Sequence, residues 1–94
     1  MKVRYTPRAA AELDTVLDYV KTRSPQGAHH VQARIQAIID LLLQHPRAGR
    51  LTSKSGLRRM VVSPYPFLIF YRATEDEIVI HGVRHTARRP SMPE

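Results

Sequence analysis

The groups in this sequence that can hold an anion are twelve arginines and three lysines, joined by five histidines that can also move a proton near neutral pH. There is no cysteine, which removes a disulfide framework, a zinc ribbon and a thiol nucleophile. No glycine-rich phosphate loop, nucleophile elbow or HExxH helix occurs. His29 and His30 are adjacent, so on a helix they point about 100° apart and cannot both face one metal. His45 precedes Pro46 at a helix end, where it suits the negative pole of the helix dipole. No metal or cofactor is expected.

One catalytic class passes this screen, a metal-free ribonuclease. Cleavage of RNA by its own 2′-OH needs a general base, a general acid and cations for the developing phosphorane charge. His81 or His85 supplies the acid or base, and Arg58, Arg59, Arg84 or Lys54 the cations. Proton-transfer groups are scarce beside that supply of cations. No carboxylate lies between Leu41 and Thr74, and no tyrosine follows Tyr71. His81 falls mid-strand, which suits a structural histidine. A binding role is therefore expected, with a ribonuclease as the runner-up.

The charge says what would be bound. Fifteen basic residues against eight acidic ones give +7 with neutral histidine. Arginine, which dominates, is the better residue for bidentate contact with carboxylate or phosphate. Residues 1–45 carry a net +2 and residues 46–94 a net +5. The acid-free stretch holds Arg47, Arg50, Lys54, Arg58, Arg59 and Arg72. Such a chain should attract a polyanion or an acidic protein.

The elements that must position these residues follow from period and punctuation. A chain of 94 residues is one domain by length, burying roughly 60–65% of its unfolded surface. One unit over 1–94 is expected, with an irregular basic tail from about 86. No apolar run approaches the ~18 residues of a membrane span. The N-terminus lacks a signal-peptide pattern, so a cytoplasmic location is expected. Lys2–Tyr5 alternates as a short strand. Thr6-Pro7 supplies a cap and a first-turn proline, and Ala9, Leu13, Val16, Leu17 and Val20 follow at helical spacing over about 7–23. Glu12 and Asp14 fall toward the positive end of that helix. Ser24-Pro25 repeats the signal, and Ala28, Val31, Ile35, Ile38, Ile39 and Leu42 form a second stripe about 100° wide. Leu41 and Leu43 flank it. Pro46 ends the helix, and Gly49 permits a tight reversal.

After Gly49 the period changes. Leu57–Val62, Phe67–Arg72 and Ile78–Arg84 are short runs rich in β-branched and aromatic residues, joined by links short enough for hairpins. Phe67–Tyr71 is apolar throughout and is expected to be the central, doubly covered strand. The order is β-α-α-β-β-β. It implies an α+β fold, with an N-terminal strand, an antiparallel helical hairpin and a three-stranded antiparallel meander. Arg58 and Arg59 leave their strand on opposite faces, as do Arg84 and His85. One arginine of each pair should share the face that the helices leave open.

Five segments in order carry a resemblance to a known family. They are Thr6-Pro7-Arg8-Ala9 with Leu13 and Tyr19, His45 to Arg50, Gly56-Leu57-Arg58-Arg59, Tyr65 with Ile69-Phe70-Tyr71-Arg72, and Val83 to Arg88. Together they resemble the ParE branch of the RelE/ParE superfamily, the toxins of bacterial type II toxin–antitoxin pairs. The resemblance implies the same β-α-α-β-β-β fold. RelE-like members are ribosome-dependent mRNA interferases that use basic residues with a late tyrosine or a glutamate–histidine pair. ParE-like members poison DNA gyrase and are not nucleases. Here Arg59 and Arg84 match basic positions of both branches and the late tyrosine is missing, which favours the ParE branch. Thr86 and Arg89 stand where glycine and aspartate are common.

The resemblance implies a ParD-like antitoxin with an acidic, partly disordered C-terminal segment, and DNA gyrase as the target. DNA would be met only through those partners. On this reading Leu41, Leu43, Arg58, Arg59, Arg72 and Arg84 receive the antitoxin. Arg84, His85, Arg88 and Arg89 meet the target.

Overall fold

Thr6 and Ser24 decide where the helices begin. In the computed structural model, which describes residues 1–86, the Thr6 hydroxyl accepts from the Ala9 amide and the Ser24 hydroxyl from the Gly27 amide, both at 3.0 Å. A proline follows each cap, where its missing N–H costs nothing. Helix α1 spans Pro7–Arg23 and α2 spans Pro25–Gln44. Ser24 also closes α1, its amide donating to the Val20 carbonyl at 2.8 Å. A single residue therefore serves both helices and folds them into a hairpin.

The strands are β1 (Lys2–Tyr5), β2 (Arg50–Leu51), β3 (Arg58–Val61), β4 (Phe67–Ala73) and β5 (Glu77–His85). They form one sheet in the order β1-β5-β4-β3-β2. The α+β architecture and the antiparallel β3-β4-β5 meander follow the sequence expectation. Three features differ. First, the sheet is mixed: β1 pairs parallel with β5, Val3 opposite Ile78 and Tyr5 opposite Ile80. The helical hairpin carries the chain across the sheet before the meander returns it to the side of β1, so β1 and β5 run the same way. Secondly, β2 adds a two-residue edge strand, Arg50 opposite Arg59 and Leu51 opposite Arg58. So short a strand leaves no period to detect.

Thirdly, β4 is the middle strand but is covered on one face only. Phe67, Ile69 and Tyr71 are buried, whereas Leu68 and Phe70 are half-buried. The core lies on the helix side, where Val31, Ile35, Ile38, Ile39 and Leu42 of α2 meet Ile69, Tyr71, Ile78, Ile80 and Val83. Each such aliphatic side chain contributes about 1.5–3 kcal/mol by leaving water. Leu13, Val16, Leu17 and Val20 of α1 are partly buried at its margin.

Gly49 also has a different role from the one expected. Its φ is not positive; Gly56 alone has a positive φ among the described residues. A Cβ on Gly49 would lie 2.6 Å from the Tyr71 ring and 2.9 Å from the Arg59 carbonyl. Close approach, not turn handedness, requires the glycine.

Candidate functional site

Strand alternation sends Leu68, Phe70 and Arg72 to the face opposite the helices. Register then fixes their neighbours. Arg50, Arg59 and Phe70 lie in line across three strands, with Gly82 beyond. Val61, Leu68 and Arg84 form the next row. Arg72, Val79 and Arg4 form a third. The open face thus combines Arg4, Arg50, Arg59, Arg72 and Arg84 with an apolar strip of Val61, Leu68 and Phe70. Val61 is 52% exposed although apolar.

Several of these cations are held in place. Arg4 grips Glu77 through two hydrogen bonds, at 3.2 and 3.1 Å. The pairing lowers the Glu77 carboxyl below its ordinary pKa and raises Arg4 above its own. The Arg72 Nε donates to the Ser55 carbonyl at 3.2 Å. The Arg84 guanidinium carbon lies 5.9 Å from the centre of the Phe70 ring, within reach of a cation–π contact.

His81 occupies a bulge. Phe70 pairs with Gly82 but Tyr71 pairs with Ile80, which leaves His81 as the extra residue of β5. Its pKa is lowered by burial first, then by Arg72 and Arg4. Burial and the two arginines thus favour the neutral form of its imidazole.

The expected site residues separate into groups. Arg59, Arg72 and Arg84 share the open face. Arg58 faces the helix side opposite Tyr71 and donates to the Gly49 carbonyl at 2.8 Å and the Arg47 carbonyl at 3.3 Å. It ties down the turn after α2. His85 pairs with Phe67 on the helix side, the two rings edge to face at 5.3 Å. It is not brought together with Arg59 and Arg84. Leu43 packs against the core, while Leu41 is 42% exposed on α2. Arg88 and Arg89 lie outside the described residues. A groove of about 620 Å³ between the end of α2 and the β4–β5 turn is bordered by His45, Arg47, Thr74 and Glu75; none of the expected residues lines it. No cluster of three metal-ligating side chains occurs among the described residues, and no helix there is long and apolar enough to cross a membrane.

Sequence reasoning missed Glu12. It lies past the first turn of α1, and its role is not at the helix dipole. Its Oε1 accepts from the Val83 amide at 3.0 Å, and its Oε2 lies 3.6 Å from Arg84 Nε. The available signal was its position three residues after Ala9, which puts an acid on the sheet-facing stripe of α1.

Residues 3–90 match the family described as the ParE toxin of type II toxin–antitoxin system, parDE. The chain is 36% identical over 87 residues to Toxin RelE2 of Caulobacter vibrioides, covering 93% of this chain and 97% of that protein. It is 29% identical over 89 residues to Toxin RelE3 of the same organism, covering 93% and 96%. A solved chain of the chromosomal ParDE TA system from P. aeruginosa superposes with a TM-score of 0.76 at 26% identity, over 90% of this chain and 95% of that one.

Proposed function

The chain belongs to the ParE toxin family of type II toxin–antitoxin systems, and on that footing we propose that it acts by binding, not catalysis, and is silenced by an acidic antitoxin segment laid across its open sheet face. Arg50, Arg59, Arg72 and Arg84 bordering the apolar strip of Val61, Leu68 and Phe70 are the observation that carries this reading. A segment with carboxylates and apolar side chains that orders on binding complements such a face. Leu41, exposed on α2, is a second proposed contact, on the helical layer. DNA gyrase is the proposed target once the antitoxin is gone.

The RelE names of the two relatives keep a ribonuclease in view. Against it stands the position of His85, which turns toward Phe67 and away from Arg59 and Arg84. Induction of the toxin alone separates the readings. Filamentation, a DNA-damage response and loss of gyrase supercoiling are expected. Codon-linked mRNA cleavage that disappears in Arg59→Ala or His85→Ala would overturn the proposal.

A further inference from the structure

Strand β1 ends at Tyr5, and its last backbone link to β5 is the Thr6 amide donating to the Ile80 carbonyl at 3.0 Å. Past that point α1 replaces β1 beside β5. The Val83 amide donates to Glu12 Oε1, so a helix side chain continues the edge where backbone stops. The other carboxylate oxygen lies 3.6 Å from Arg84 Nε and 3.4 Å from Arg8 Nε. Gly82 leaves room for this arrangement. A Cβ there would stand 3.1 Å from Glu12 Oε1 and 3.7 Å from Arg84 Nε.

Arg84 is the more confined partner, its side chain 17% exposed against 25% for Glu12. Its Nε is buried without a hydrogen-bond partner. A guanidinium this covered stays where it is only while a carboxylate faces it; with that charge removed, it gains by swinging into water. We propose that Glu12 is the positioning residue for Arg84. It holds the guanidinium by its Nε side against Phe70, so that the Nη groups stay on the open face to take a carboxylate of the partner. The inference rests on the proposed function, in which Arg84 is a contact. It adds a residue from the helical layer that sets how well that contact is made.

A simpler role for Glu12 is to satisfy the Val83 amide. Glu12→Gln separates the two, because glutamine still offers an oxygen to Val83 but no charge to Arg84. The full-length protein is titrated with a short fluorescent peptide of alternating glutamate and leucine. Arg84→Ala is compared in the native and Glu12→Gln backgrounds, and the thermal midpoint of each protein is recorded. In the native background Arg84→Ala should weaken binding about tenfold or more. In the Glu12→Gln background the same change should cost less than about threefold, the mark of coupled residues. Arg84→Lys with Glu12 intact should bind as poorly as Arg84→Ala, since lysine has no Nε to hold. Equal losses in both backgrounds, or full binding by Arg84→Lys, would overturn the positioning role and leave Arg84 as a contact. No loss with Arg84→Ala in the native background would overturn the contact itself, and the positioning role with it. If Glu12→Gln does not fold, the lysine variant decides alone.

Discussion

Tyr71 is bonded at both lone-pair and proton ends inside the molecule. Its hydroxyl donates to the Pro46 carbonyl and accepts from the Gly49 amide, each at 2.8 Å. Burial raises the phenol above its ordinary pKa, against smaller lowering effects from the Gly49 amide and Arg58, so the proton needed for donation is retained. Tyr71→Phe leaves two backbone groups with no partner and should cost about 1–3 kcal/mol in chemical denaturation. Unchanged stability would mean that water replaces the hydroxyl. His81 predicts a pH effect. Its folded pKa lies below the ordinary value because of burial and the nearby Arg72 and Arg4. The unfolded chain therefore takes up the proton first as pH falls, and the stability present above about pH 6.5 declines from there toward the lower folded pKa. His81→Gln should flatten that part of the stability–pH curve. An identical slope in both proteins would sink the assignment.

At the scale of elements, Thr6 and Ser24 announced both helices because caps act on their own neighbours. The meander was legible for a similar reason, since Met60, Ile69 and Val83 sit in short β-rich runs with short links. What escaped was information that only distant pairing supplies. Val3 and Tyr5 mark β1 as a strand, yet nothing near them names β5 as its parallel partner. Alternation alone makes Arg58 and Arg59 diverge, but which one meets the core depends on the pairing of Tyr71. By sequence Glu12 reads as a helix-dipole residue, and only the packing of α1 beside β5 gives it the Val83 amide. The turn after α2 shows how tightly such distant pairings are drawn. Tyr71 and Arg58 both bind it, and Gly49 lets them close in. Gly49→Ala must push the Tyr71 ring or the β3 backbone aside and should lose about 1–3 kcal/mol. A thermal melt within error of the native protein would show that the turn can yield.

At the scale of the whole molecule, a cluster of arginines occupies the sheet face that carries no helix. Net charge is +7, and Arg4, Arg50, Arg59, Arg72 and Arg84 share one sheet face. Arg50 stands directly opposite Arg59, a like-charge pairing that costs stability in isolation. A field of this kind draws in an acidic chain before any contact forms, and salt screens it over about 8–10 Å. In the proposed complex the apolar strip would act later, once water has left Val61 and Phe70. The two parts should therefore separate in kinetics. Raising salt, or Arg50→Ala, should slow association of an acidic antitoxin segment in stopped flow while leaving dissociation nearly unchanged. Val61→Ser, on the same face and 52% exposed, should do the reverse and raise the dissociation rate. An association rate indifferent to salt would place the antitoxin somewhere other than this face. A salt-sensitive rate that Arg50→Ala leaves unchanged would place the steering charge elsewhere on the protein, away from the β2 edge of the sheet.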